Sequence, residues 1–176
     1  MLNSFGKHED SQMSTQFEDI VAGNEAFAEN FSSGDIPGKA AKKVLLITCM
    51  DCRIVPHRAL GYNLGDMKII RNGGGQVHPS TESDAVIANN VLGCDKILVM
   101  QHTQCGMAAA KLEPLRELVN QNTGADTSEY NPPLISDQMA VLTADVEKLK
   151  NNPMIKPGTV VEGAFYHVET GKIEFI

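Results

Sequence analysis

The sequence predicts an α/β fold in which a central, mostly parallel β-sheet is flanked by helices, with an N-terminal helical arm and a C-terminal hairpin. Three short segments with apolar centres, at 44–48, 68–71 and 96–100, are typical of strands that are covered on both faces. Segments with helical patterns separate them. Strands that alternate with helices indicate parallel pairing through right-handed crossovers.

Length and composition favour one globular domain. The chain has 176 residues, and a domain usually takes roughly 150. Its 42% hydrophobic and 21% charged residues are those of a folded protein. We expect a flexible tail at 1–13 and a single domain at 14–176.

Charge and hydropathy restrict the partners and the compartment. The net charge of −7 gives no basic surface for nucleic acid. No apolar run approaches the roughly 18 residues that a membrane span requires, and the first residues lack the apolar core of a signal peptide. Four cysteines are too few for a disulfide scaffold. The sequence therefore predicts a soluble, cytoplasmic protein that binds neither nucleic acid nor membrane.

The first predicted helix runs from 15 to 31. Thr15 and Glu18 have the spacing of a capping box. Apolar residues then follow the helical period: Phe17, Ile20, Val21, Phe27 and Phe31. This apolar face is expected to pack on the protein's own sheet or on a partner subunit.

Two further helices are predicted between the strands, at 56–61 and 81–92. The second has Asp84 near its start and Gly93 just beyond its end, as the helix dipole and C-capping favour.

The remainder of the chain predicts two helices and a hairpin. A helix at 107–121 must be kinked or split by Pro114. After a loop, Ser136 can cap a helix that continues to about residue 151. Segments 159–168 and 172–176 flank a Gly-containing turn and indicate a terminal β-hairpin.

Two cysteines and a histidine are predicted to meet at one edge of this sheet. Cys49 ends the first apolar strand, His102 follows the third, and Cys105 comes three residues later. Ligands of open α/β sheets bind outside the carboxyl ends of the strands. Two thiolates and an imidazole suit Zn²⁺, one ion per chain, and leave a fourth position for water or substrate.

Asp51 and Arg53 lie next to the first candidate ligand. A carboxylate held by a bidentate guanidinium stays ionised and oriented, so Asp51 could direct a nucleophilic oxygen at the substrate. If Arg53 turned away, Asp51 could itself occupy the fourth metal position and close the site.

The glycine loop Gly73, Gly74 and Gly75 follows the second strand. It predicts a tight turn and also a close approach of backbone to a small substrate. It lacks the Lys-Ser/Thr of a phosphate-binding loop. His78, just beyond it, is a candidate proton shuttle, although an exposed loop histidine is the simpler interpretation.

The order of two motifs along the chain resembles that of a known family. A Cys-x-Asp-x-Arg motif is followed by Arg-Asn, a glycine loop and a His-x-x-Cys motif, and this order resembles that of the β-class carbonic anhydrases, in their small, compact branch. The residues that carry it are Cys49, Asp51, Arg53, Arg71, Asn72, His102 and Cys105.

The resemblance implies a function and a site. It implies reversible zinc-dependent hydration of carbon dioxide to bicarbonate and a proton. It assigns zinc binding to Cys49, His102 and Cys105, and a catalytic dyad to Asp51 and Arg53. It also implies a homodimer or a higher oligomer in which the N-terminal helix wraps around the neighbour.

Three departures from the family pattern keep alternatives open. Many relatives have a small residue in place of Cys52, alanine in place of Gly73 and arginine in place of Gln76. The same fold also serves hydrolases of carbonyl sulfide or carbon disulfide. Cys52 could complete a closed, non-catalytic Cys₃His zinc site, or form a redox pair with Cys49.

Overall fold

The structure, a computed structural model, describes residues 15–176, which divide between 36 and 37 into two compact units. The tail expected at 1–13 lies outside the described residues. The single domain expected over 14–176 stays a prediction.

The described part of the first unit is a short helix. A 3₁₀ turn at Thr15–Phe17 leads into α1, Glu18–Glu29. The expected capping box is wrong, because the α-helix begins at Glu18 and its N-cap position, Phe17, makes no side-chain cap. None of the residues of α1 is buried, and the rings of Phe27 and Phe31 lie 5.4 Å apart.

The second unit is built on a five-stranded sheet, which confirms the predicted α/β class. Its strands are β1 (Val44–Cys49), β2 (Met67–Asn72), β3 (Lys96–His102), β4 (Val160–Tyr166) and β5 (Ile173–Phe175). They lie in the order β2-β1-β3-β4-β5. The first four strands pair in parallel, and β5 forms an antiparallel hairpin with β4.

Five helices accompany this sheet: α2 (Pro56–Leu60), α3 (Pro79–Asn90), α4 (Gly106–Ala109), α5 (Leu112–Thr123) and α6 (Gln138–Lys150). None of the helices in residues 15–176 combines the length and hydrophobicity needed to cross a bilayer.

Helix boundaries differ by a few residues from those the sequence predicts. The helix expected at 81–92 is Pro79–Asn90, and two other differences have a clear local cause. The helix expected over 107–121 is split, but the break comes at Ala110 and Lys111, before Pro114. Pro114 lies in the first turn of α5, where a helix needs no backbone N–H donor. The N-cap of α6 is Asp137 rather than Ser136, since the Asp137 carboxylate accepts a hydrogen bond from the Ala140 N–H at 3.0 Å.

The core lies on both faces of the sheet. All six residues of β1 are buried. Leu45 and Ile47 pack with residues of α3 and α6, whereas Leu46 belongs to a second cluster that includes Ile54 and Leu60. Burial on both faces explains why this strand is apolar without alternation.

Candidate active site

The candidate site forms where β1, β2 and β3 end. Cys49 is the last residue of β1 and pairs in register with Asn72, the last residue of β2. His102 is the last residue of β3. Cys105 occupies the N-cap position of α4. The parallel sheet thereby brings together residues that are far apart in the chain.

The side chains of Cys49, His102 and Cys105 form a buried group of metal donors. Their ligand atoms all lie within 4.8 Å of one another. The three residues are 4%, 0% and 2% exposed. Burial excludes competing water, so these side chains could hold a metal ion.

The His102 ring is oriented for metal binding. Its Nδ1 lies 2.8 Å from the carbonyl oxygen of Thr103, and since a carbonyl only accepts, Nδ1 carries the proton. Nε2 therefore presents a lone pair. This atom is buried and has no hydrogen-bond partner in the described part of the chain. Metal-binding histidines commonly have one nitrogen fixed by such a carbonyl contact while the other binds the ion.

The two thiols differ in acidity. Burial by itself raises the pKa of Cys49, but the neighbouring His102 ring and the backbone N–H groups of Asp51 and Gly74 offset this and lower the pKa to about 7. Burial raises the pKa of Cys105. Of the two thiols, Cys49 is therefore the one whose pKa is lowered.

Asp51 and Arg53 form a bidentate ion pair. Arg53 Nε donates to Asp51 Oδ1 at 3.0 Å, and Arg53 Nη2 donates to Asp51 Oδ2 at 2.8 Å. These hydrogen bonds hold the pKa of the Asp51 carboxyl well below its usual range. Asp51 Oδ2 lies 3.9 Å from His102 Nε2, so an ionised carboxylate stands beside the donor group without being one of its members.

A small cavity opens onto these groups. Its volume is about 230 Å³. It is lined by Cys49, Met50, Asp51, Gly73, Cys105, Gly106 and Met107. Apart from Asp51 and the sulfur ligands this wall is apolar, which suits a small uncharged substrate. His78, the candidate shuttle, is not among the lining residues, and its role stays a prediction.

The glycine loop packs against the backbone that carries Cys49. Gly73 lines the cavity, whereas Gly74 and Gly75 are buried. A Cβ on Gly75 would lie 2.9 Å from the backbone nitrogen of Cys49. Gln76 fixes the loop, as its side-chain amide donates to the carbonyls of Gly73 at 3.1 Å and Pro133 at 2.8 Å. The structure therefore places one of the three predicted substrate-binding glycines at the cavity and uses the other two for close packing.

The sequence analysis assigns no role to two side chains that hold the backbone of the ligand residues. Arg71 on β2 donates from Nε to the Cys49 carbonyl at 2.9 Å and from Nη2 to the Asp51 carbonyl at 2.6 Å. Gln138 on α6 donates to the His102 carbonyl at 2.9 Å. Arg71 had a signal, because it precedes Asn72 in the family motif. Gln138 had none.

Cys52 lies apart from the donors. It is exposed, and the metal-donor group consists of Cys49, His102 and Cys105 alone among the residues from 15 to 176. The same donors pass a chemical test for zinc: two sulfurs and one available imidazole nitrogen are the ligands that this ion prefers, and one coordination position remains.

Comparison with known proteins agrees with the fold and the donor set. A family model described as carbonic anhydrase matches residues 44–173. The chain therefore belongs to the β-class carbonic anhydrase family, and it is a zinc-dependent lyase.

Individual relatives cover almost all of the chain. Beta-carbonic anhydrase 1 of Mycobacterium tuberculosis is 27% identical over 159 residues, which are 90% of this chain and 96% of the relative. The crystal structure of a carbonic anhydrase from Streptococcus mutans matches with a TM-score of 0.84 at 29% identity, over 93% of this chain and 98% of that one. A carbon disulfide hydrolase of Acidithiobacillus thiooxidans is 25% identical over 177 residues, covering 90% of this chain and 87% of the relative.

Proposed function

We propose that the protein catalyses the reversible hydration of carbon dioxide to bicarbonate and a proton, with zinc held by Cys49, His102 and Cys105. The observation that carries this proposal is the position of the Asp51–Arg53 pair, which places an ionised carboxylate 3.9 Å from the free nitrogen of His102. When bound, zinc supplies Lewis acidity that lowers the pKa of a water ligand toward neutrality.

Asp51 is proposed as the catalytic residue. Its carboxylate is an acceptor only, so it can take a hydrogen bond from a water molecule in the cavity and point the oxygen lone pair at the carbon of carbon dioxide. Arg53 is a positioning residue, because it acts on the reaction through Asp51. Since its guanidinium binds both Asp51 oxygens, the carboxylate is held away from the donor group rather than within it.

The wall of the cavity provides the substrate contact. Gly73 and Met107 present little polarity, and a linear apolar molecule such as carbon dioxide needs space more than hydrogen bonds. Product bicarbonate carries a negative charge beside the Asp51 carboxylate, and this like-charge repulsion favours its release. Transfer of the remaining proton to buffer completes the cycle.

Stopped-flow carbon dioxide hydration across pH tests this proposal, with zinc content determined on the same sample. We expect turnover with one zinc per chain. Protein with stoichiometric zinc and no hydration at any pH would overturn it. Sulfide release from carbonyl sulfide or carbon disulfide would then assign the hydrolase activity named for the Acidithiobacillus relative.

We further propose a homodimer or larger homo-oligomer. The exposed Phe17, Phe27 and Phe31 give the first unit an apolar surface. On the second unit, a separate groove of about 230 Å³ is lined largely by apolar residues, of which Val160 and Phe175 are exposed. Exposed apolar surface of this kind is common at subunit interfaces. Sedimentation equilibrium tests the proposal, and a monomer at micromolar concentration would contradict it.

A cytoplasmic location is proposed from the thiol chemistry. All four cysteines are free, and metal-binding thiols are best preserved in a reducing compartment. Fractionation of the source cells with an antibody to the protein tests this location.

A further inference from the structure

A polar relay connects Arg53 to the C-terminal hairpin. Arg53 Nη1 donates to the side-chain oxygen of Gln104 at 2.9 Å. The Gln104 amide nitrogen in turn donates to Glu169 Oε1 at 2.7 Å. Glu169 lies in the turn between β4 and β5, so the relay joins the hairpin to the short loop between His102 and Cys105.

The order of donors and acceptors fixes the direction of the Gln104 amide. A guanidinium only donates, and an ionised carboxylate only accepts. With Arg53 at one end and Glu169 at the other, the amide can satisfy both only when its oxygen faces Arg53 and its NH₂ group faces Glu169. The carboxylate at 169 therefore reinforces the orientation in which the Gln104 oxygen faces Arg53.

Glu169 also holds the residue next to Gln104. Its Oε2 accepts a hydrogen bond from the Thr103 hydroxyl at 2.7 Å, and that hydroxyl accepts one from the Val168 N–H at 3.1 Å. Thr103 and Gln104 are the residues that directly follow the His102 ligand. The Glu169 carboxylate thus accepts hydrogen bonds from two consecutive side chains between His102 and Cys105.

The backbone of Gln104 is consistent with this arrangement. Its φ is +57°, a left-handed conformation that residues other than glycine adopt infrequently. In this conformation its carbonyl oxygen accepts from Arg53 Nη2 at 3.2 Å while its side chain meets Arg53 Nη1. An unfavourable backbone conformation that turns two groups toward one guanidinium indicates a functional constraint.

We infer that Glu169 is a positioning residue, which orients Arg53, and through it the Asp51 carboxylate, by way of Gln104. This inference rests on the proposed function, because it assigns the hairpin turn a part in the same reaction. It also gives the C-terminal hairpin a role beyond closing the edge of the sheet.

Exchange of the two side chains tests the relay. Glu169→Gln replaces a carboxylate, which only accepts, by an amide that can turn either its oxygen or its NH₂ group toward Gln104, whereas Gln104→Glu places two carboxylates face to face. The double variant Gln104→Glu/Glu169→Gln restores an acceptor toward Arg53 and a donor–acceptor match at both contacts. Gln104→Glu should lower kcat/KM about five-fold, the loss expected for one mismatched hydrogen bond, and Glu169→Gln should lower it less because its amide oxygen can still accept from Gln104. The double variant should return to within about two-fold of wild type.

A second readout does not depend on activity. The Nε–H signal of Arg53 in a ¹H–¹⁵N NMR spectrum can be assigned by its absence in Arg53→Lys. It should shift or broaden in both single variants and return in the double variant, at unchanged zinc content. Glu174→Gln is the matched control, because this carboxylate lies on the same hairpin and contacts His167 Nε2 at 3.1 Å instead. It should change neither readout.

The outcomes separate the inference from the proposed function. Wild-type kcat/KM and an unchanged Arg53 signal in Gln104→Glu would overturn the inference, as would losses that the double variant does not restore. A wild-type protein that fails to hydrate carbon dioxide would overturn the proposed function, and the Arg53 signal alone would then decide whether Glu169 positions the guanidinium.

Discussion

The Arg53 guanidinium binds both oxygens of the Asp51 carboxylate, with Nε 3.0 Å from Oδ1 and Nη2 2.8 Å from Oδ2. A third contact, from the Arg53 backbone N–H to Oδ1 at 2.9 Å, comes from the short turn that links the two residues. The carboxylate is thereby fixed in direction as well as in charge. Under the proposed function, metal binding does not need Asp51, whereas turnover does.

Asp51→Ala should therefore keep its zinc and lose most of its turnover. Loss of a pre-oriented hydrogen-bond acceptor at a reacting group typically lowers kcat by a factor on the order of 10² to 10³. Stopped-flow hydration and zinc analysis on one preparation measure both quantities. Asp51→Asn serves as the matched variant of equal size, and full activity in either variant would remove Asp51 from the mechanism.

Cys52 should be dispensable for metal binding. Its side chain is exposed, whereas Cys49 and Cys105 are buried with their sulfurs in the donor group. Cys52→Ser should keep stoichiometric zinc after gel filtration, while Cys49→Ser and Cys105→Ser should lose it. In the zinc-loaded protein, iodoacetamide should modify Cys52 first. Release of zinc from Cys52→Ser would instead support the closed Cys₃His site.

Much of the fold could be predicted because its signals are local. The apolar segments at 44–48 and 96–100 identify buried strands, and the turn at Gly171 identifies the hairpin. The strand order β2-β1-β3-β4-β5 has no local signal, since it depends on which strands pack together over long distances. The predicted helix boundaries were wrong by a few residues where more than one neighbouring side chain could cap the helix, as Ser136 and Asp137 could at the start of α6.

The candidate site divides in the same way. Its donors are predictable because Cys49 and His102 directly end strands and Cys105 follows in the same loop. The contacts that hold them are not, because they join elements distant in sequence. The hydrogen bond from Arg53 to Gln104 is made with Gln104 in a left-handed conformation, φ +57°. No sequence pattern predicts that conformation at a glutamine.

Arg71 should strengthen zinc binding through the backbone. It donates to the carbonyls of Cys49 and Asp51 and so fixes the loop that presents the first sulfur. Arg71→Lys retains the charge but loses the fork of donors, and we expect roughly ten-fold weaker zinc affinity, at the lower end of the effect of contacts behind metal ligands. Competition with a chromogenic chelator measures this affinity.

Arg116→Lys is the control for that experiment. Arg116 also donates to a backbone carbonyl, that of Tyr130 at 2.9 Å, but it lies on α5 and does not line the cavity. Its replacement should leave zinc affinity unchanged. Equal losses in the two variants would show that the Arg71 contacts do not act on the metal site specifically.

Gly75 and Gly61 provide a matched pair for testing the glycine loop. Their φ angles are nearly equal, +67° and +66°, so alanine meets the same left-handed backbone penalty of roughly 1 kcal/mol at both positions. Their surroundings differ. A Cβ on Gly61 would meet nothing within 4 Å, whereas one on Gly75 would lie 2.9 Å from Cys49 N and 3.0 Å from the Met100 carbonyl oxygen.

Gly75→Ala should therefore destabilise the protein by about 2 kcal/mol more than Gly61→Ala, since backbone atoms cannot move aside without displacing β1 and β3. Urea unfolding at a fixed free zinc concentration measures the difference. Gly75→Ala should also bind zinc more weakly, because the displaced strand carries the Cys49 ligand. Equal stability and equal zinc affinity in the two variants would show that the glycine loop is a turn alone and does not support the metal site.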